Sequence, residues 1–250
     1  EETANPIYIY RLQNVFGKWC KPNYNSVVAT FCHNIANNLP ISITDGSKII
    51  NLIYIDDLIS SFLGHIKSDE KGIFWPDVNP KYTVKLDDLA NLIKEFKQSR
   101  ENHTTMDVGS GFFRALYSTY LSYIQPKDFS YSLPFFSDER GIFVESLKTQ
   151  NSGQFSYFTA YPGITRGGHY HHTKTEKFIV LKGTAQFKFR HILTNETHEI
   201  CTSDEKPQVV ETVPGWTHDI TNIGDEEMIV MLWANEIFNR DYPDTISSNV

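Results

Sequence analysis

Two histidines, His169 and His171, stand two residues apart, Glu176 follows five residues after the second, and His218 lies in a later window, PGWTHDITN. Strand side chains alternate faces with a period of two, so a His-x-His pair on a strand points both imidazoles the same way. A turn over Thr173–Thr175 folds the next strand back and lets Glu176 join that face; Asn222 lies four residues beyond His218. Three neutral imidazoles and one carboxylate make a donor set for a borderline divalent ion such as Zn2+. The alternative is a surface hairpin that happens to be rich in histidine.

The elements that must position these groups are short strands. After Gln125-Pro126-Lys127 the pattern changes from helical spacing to FSYSLPFF, IFVESLK, GQFSYFTAYPG, KFIVLKGTAQFKFRHI, HEICTS, QVVETVPG, HDITNIG and MIVMLWANE, separated by Gly, Pro and Asp turns. Such a series predicts a β-sandwich or barrel. Phe187 and Phe189 alternate as barrel filling, and His191 and His198 read as surface residues. The spacing Gly163-x5-His169-x-His171-x4-Glu176-x6-Gly183 resembles the first cupin motif at every fixed position. Pro214, Gly215, His218 and Asn222 resemble the second, with Pro and Gly adjacent where the family spaces them. The resemblance implies an all-β jelly-roll barrel holding a metal on His169, His171, Glu176 and His218.

PFFSDERGIFVES and TRGGHY resemble two motifs of the dTDP-sugar 3,5-epimerases, cupin-like enzymes that abstract a proton next to a 4-keto group. The resemblance implies that Arg140, Glu145 and Arg166 contact a sugar nucleotide. A guanidinium fork suits phosphate oxygens, although Arg140 could instead pair with Asp138 or Glu139 in its turn. The two resemblances disagree about His169, which is a base in one and a ligand in the other. With His169 on the metal, the acid–base group stays open among His171, His172, Lys174 and a nearby tyrosine such as Tyr170 or Tyr157.

The first half reads as α/β. A helix is expected from Ser26 to Leu39, short strands at Ile41–Ile43 and Ile49–Ile55, a helix over Leu58–Ile66 opened by Asp56-Asp57, and an amphipathic helix from Leu86 to Phe96. IYIYRL at 7–12 predicts a buried strand, and its arrival so near Glu1 predicts that residues preceding Glu1 belong to the natural protein. RLQNVFG and Tyr54-Ile55-Asp56-Asp57 resemble the C-terminal portion of an extended short-chain dehydrogenase/reductase, with Phe16 where that family has Tyr. The resemblance implies that Asn14 contacts the sugar nucleotide. The expected fold is thus two-domain: such an α/β portion over 1–124, then a cupin over 125–250. A dinucleotide site needs a Gly-rich strand-to-helix turn, and Gly109-Ser-Gly111 is the chain's only Gly-x-Gly. The two Tyr-xxx-Lys spacings, Tyr123 to Lys127 and Tyr170 to Lys174, lie outside a usable helix. NADPH is therefore expected only with the longer protein.

The 250 residues carry a formal charge of −7 and no basic run, which argues against nucleic acid. Three cysteines without metal spacing or a disulfide framework, and no apolar stretch of membrane-spanning length, point to a cytoplasmic protein. As a whole, the chain resembles the bifunctional capsular-polysaccharide enzymes that make UDP-N-acetyl-L-fucosamine. That family implies C3 epimerisation of a UDP-4-keto-6-deoxy-N-acetylhexosamine, C4 reduction by NADPH, Zn2+ in the cupin and a homodimer. A cupin dioxygenase or isomerase and a non-catalytic sugar-nucleotide-binding or dimerisation module are the other classes compatible with the motifs.

Overall fold

The computed structural model describes residues 5–66 and 68–250. The chain divides into two compact units, one running to Asn102 and including Asp107–Tyr131, the other combining His103–Met106 with Ser132–Val250.

In the first unit, β1 (Pro6–Tyr8) and β4 (Gly72–Phe74) form a parallel pair. A separate sheet has the order β2 (Asn14–Phe16), β3 (Ile49–Tyr54), β5 (Lys81–Lys85). The helices are α1 (Val27–Ala36), α2 (Ile55–Ile66), α3 (Leu86–Asn102) and α4 (Gly111–Leu121). Helix α1 starts where Ser26 is extended and its Oγ accepts from the Ala29 amide at 3.3 Å. Val28, Phe31, Cys32 and Ile35 recur on its buried face. Asp56 and Asp57 occupy the first turn of α2, where carboxylates favour the positive helix end.

The second unit is β-rich. Its strands are β6 (Thr104–Thr105), β7 (Phe135–Asp138), β8 (Gly141–Thr149), β9 (Gly153–Ala160), β10 (Thr165–Tyr170), β11 (Glu176–Lys182), β12 (Thr184–His191), β13 (Thr197–Ser203), β14 (Val210–Glu211), β15 (Trp216–Asn222), β16 (Met228–Ala234) and β17 (Ile246–Ser247). One sheet has the order β13-β12-β15-β10-β17; the other runs β14-β11-β16-β9-β8-β6, with β7 on β8. Phe158, Phe178, Val180, Phe187, Phe189, Ile220, Val230 and Leu232 from both sheets form one core. Along β12 the buried positions are Ala185, Phe187 and Phe189, alternating with half-buried Gln186 and Lys188. Burying each phenylalanine contributes about 1.5–3 kcal/mol.

The expected two-domain class, an α/β reductase portion followed by a cupin, is corrected by this architecture, which is cupin-like and β-rich. No Rossmann portion is evident among the described residues: the parallel pairs of the first unit, β1 with β4 and β2 with β3, are three residues long. Ile41–Ile43 pairs with nothing and is no strand, and the 7–12 segment enters a ladder only through Pro6–Tyr8, with Ile7 41% exposed. Apolar β-branched residues favour a strand, but only a neighbouring strand makes one. FSYSLPFF likewise becomes strand only from Phe135. Among the described residues no helix is long and apolar enough to cross a membrane.

Candidate metal centre

Strand β10 pairs with β15 so that His169 lies directly opposite His218, after a register shift between Gly167 and His169. Gly167 makes that shift possible. Its φ is +103°, and a Cβ there would stand 2.8 Å from the His218 carbonyl oxygen. His171 follows just beyond the strand, and Glu176 opens β11 in the facing sheet. The four side chains converge: one donor atom from each of His169, His171, Glu176 and His218 lies within 4.8 Å of every other. The imidazole centroids are 4.7 to 5.4 Å apart.

The hydrogen bonds around this group decide which nitrogens face inward. His171 Nδ1 meets the carbonyl oxygen of Asp244, which can only accept, so Nδ1 carries the proton. His171 Nε2 then turns a lone pair toward Glu176 Oε2, 3.2 Å away. His218 repeats the arrangement. Its Nδ1 faces the Trp216 carbonyl at 3.5 Å, while Nε2 is buried, 3.5 Å from Glu176 Oε2 and without a hydrogen-bond partner. Lone pairs held this close to a carboxylate repel unless a cation sits among them. The 3.2 and 3.5 Å separations fit the roughly 3.4 Å edge of a tetrahedron with metal–ligand bonds of about 2.1 Å. The donor set therefore fits a divalent ion, with the carbonyls of Asp244 and Trp216 orienting two of the rings.

Glu176 is further held by its backbone N–H, which donates to Thr212 Oγ1 at 2.9 Å, and by an ion pair of Oε1 with Lys174 Nζ at 2.9 Å. Burial alone would raise the Glu176 carboxyl, but its close contacts with His171, His218 and the Lys174 ammonium outweigh it and hold it far below the usual range. Burial, with the neighbouring His218, pushes His169 down to about 4, so its ring is neutral at pH 7.

Two adjoining cavities open on the group. One of about 280 Å³ is lined by Arg140, Phe143, Phe158, Arg166, His169 and His218 among others. The other, about 330 Å³, is lined by Glu145, Lys174, Glu176, Glu236, Arg240 and Thr245 among others. Arg140 is engaged in its own turn, with Nε and Nη2 donating to Asp138 Oδ2 at 3.1 and 2.6 Å. Arg166 donates to the carbonyls of Thr159 at 2.9 Å and Ile142 at 3.4 Å, and burial lowers its pKa. Glu145 faces its cavity while paired with Lys148 at 2.5 Å.

Of the residues considered for acid–base work, Lys174 alone is both at a cavity wall and outside the ligand group. His171 is committed to Glu176 and Asp244, and His172 and Tyr170 pack against each other and line neither cavity. Asn14 belongs to the first unit, where its side-chain amide donates to the Asn51 carbonyl at 3.1 Å. Asn222 ties a turn, donating to the carbonyls of Ala160 and Glu226 at 2.8 Å each. His191 is half-buried against Trp216, with ring centroids 5.1 Å apart, rather than on the surface. Asp244, Thr245 and Thr212 escaped sequence reasoning because no local spacing connects them to the histidines.

Residues 136–246 match the family model for the polysaccharide biosynthesis C-terminal domain. The whole chain is 57% identical, over 250 residues, to the UDP-2-acetamido-2,6-beta-L-arabino-hexul-4-ose reductase of Pseudomonas aeruginosa, covering 67% of that protein. The spore coat polysaccharide biosynthesis protein SpsL of Bacillus subtilis is 24% identical over 118 residues, 43% of this chain and 78% of that protein. Among solved structures, the capsular polysaccharide assembling protein CapF of Staphylococcus aureus superposes with a TM-score of 0.90 at 43% identity, over 97% of this chain and 66% of that one. That likeness supports the cupin-like, β-rich description in place of the expected reductase-plus-cupin class. The chain thus spans about two thirds of the length of the reductase and of CapF, and it belongs to the family of the UDP-2-acetamido-2,6-beta-L-arabino-hexul-4-ose reductase.

Proposed function

We propose that the chain is part of a nucleotide-sugar-modifying enzyme of capsular polysaccharide synthesis, and that its β-rich unit epimerises a UDP-4-keto-6-deoxy-N-acetylhexosamine at C3. The observation that carries this reading is a buried Lys174–Glu176 pair at the wall of a cavity that adjoins Arg140 and Arg166. The name of one relative supplies the substrate class, a UDP-linked 4-keto sugar, and that of the other the setting, assembly of capsular polysaccharide.

A proton at C3 is acidic only while C4 is a ketone, so epimerisation precedes any reduction. In this reading Arg140 and Arg166, which line the adjoining cavity, steady the diphosphate and fix the ring, a positioning effect that lowers the barrier substantially. The Glu145 carboxylate is the acceptor at hand for the C3 proton. As that C–H bond breaks, its electron pair moves to the C4 oxygen, and the Lys174 ammonium donates a hydrogen bond to the enolate. A proton returned from solvent to the other face of C3 completes the inversion. Zn2+ on His169, His171, Glu176 and His218 would supply Lewis-acid stabilisation of negative charge when bound. NADPH has no fitting site among the described residues, which hold no Gly-rich strand-to-helix turn, and no step here uses it.

The test is NMR of the 4-keto substrate with this chain in D2O, without nicotinamide. Deuterium should enter at C3, and Lys174→Met should slow its entry on the order of 10²-fold or more. Binding of the UDP-sugar without exchange would refute the epimerase and leave a sugar-nucleotide-binding module.

A further inference from the structure

The C-terminal segment from Asp244 to Asn249 crosses back over the metal hairpin. Strand β17 pairs with β10 at the two residues His169 and Tyr170, and the Ser248 N–H donates to the Gly168 carbonyl at 3.0 Å. Arg190 fastens its far end, with Nη2 donating to Ser248 Oγ at 3.1 Å and Nε to the Asn249 carbonyl at 3.1 Å. At the near end Asp244 touches the hairpin with both its backbone and its side chain. Its carbonyl accepts from His171 Nδ1. Its carboxylate accepts the N–H of His172 at 2.9 Å, of Thr173 at 2.6 Å and of Lys174 at 2.8 Å, and the Thr173 hydroxyl at 3.0 Å.

These five bonds span the turn between two ligands, His171 and Glu176, and include the backbone of Lys174. The turn has no ladder of its own there, so without the Asp244 carboxylate three successive N–H groups would lack these acceptors, and the backbone carbonyl that selects the His171 tautomer would lose its anchor on the turn. The next residue, Thr245, lines the same cavity with a buried hydroxyl that has no partner.

We infer that Asp244 is a positioning residue for the metal centre and that the C-terminal segment is a strap locking the ligand hairpin in its metal-binding conformation. Asp244 acts through His171 and the 172–174 turn, since its own carboxylate oxygens are occupied by backbone N–H groups. The inference rests on the reading of His169, His171, Glu176 and His218 as a metal site.

The experiment is a Co2+ titration of the chelator-stripped protein, followed by the visible absorption of the bound ion. Partners that orient metal ligands typically contribute 10–100-fold in affinity, so Asp244→Ala should weaken Co2+ binding by about that factor and alter the spectrum. Asp244→Asn keeps the shape but turns a donor toward backbone N–H groups. It should weaken binding about 10-fold or more, and it decides the question if the alanine variant does not fold. A folded variant that binds Co2+ within about twofold of wild type, with an unchanged spectrum, overturns the strap. Failure of the wild type itself to bind Co2+ overturns the metal reading, and the strap with it.

Discussion

Replacing Glu176 by glutamine changes the charge at the centre of the site while nearly preserving its shape. In the metal-free protein the principal loss is the partner of Lys174, whose ammonium is 2.9 Å from Glu176 Oε1, with the two side chains only 10% and 6% exposed. Removing one member of a buried pair leaves the other uncompensated and typically costs about 3–5 kcal/mol. At roughly 2–4 °C per kcal/mol for a chain of this size, the melting temperature should fall by about 6–20 °C. The double variant Glu176→Gln/Lys174→Met removes both charges and should recover most of that loss. The assay is equilibrium urea unfolding in excess chelator, read by the fluorescence of Trp216 and Trp233 in the same unit. The sign of the pH dependence follows from the depressed Glu176 carboxyl. Its contribution is complete above the ordinary carboxylate range near pH ~4.5 and declines as pH falls toward the folded value. The gap between wild type and Glu176→Gln should therefore narrow in acid. If the double variant is as unstable as the single one, or the gap widens as pH falls, the unpaired ammonium is not the cause.

The metal reading predicts that His218→Ala loses the ion, because one of four candidate ligands is removed; elemental analysis showing full occupancy in both His218→Ala and His169→Ala would remove the assignment. Arg166→Ala should impair C3 exchange severely, on the order of 10²-fold, and also lower stability through the released carbonyls of Thr159 and Ile142, while exposed His198→Ala should leave exchange unchanged. This chain alone should not consume NADPH with a 4-keto UDP-sugar, and measurable oxidation of the cofactor at 340 nm would refute that.

The convergence of His169, His171, Glu176 and His218 was legible in the sequence because it is mostly local. The His-x-His spacing and the turn before Glu176 need only strand periodicity and one hairpin, and His218 carried its own motif. Alternation likewise marked Phe187 and Phe189 as core, since one face of a strand repeats every second residue. The helices of the first unit were readable from 3.6-residue spacing and the Ser26 cap, but its sheets were not. Ile41–Ile43 and the 7–12 segment have strand-like composition, and only the availability of a neighbour decides whether a ladder forms. The tertiary structure alone decided which side chains share a cavity. It separated Lys174 from His172 and Tyr170, and brought Asp244 across 73 positions onto His171. Contacts of that range depend on how the two sheets close over a common core, and no spacing along the chain encodes them.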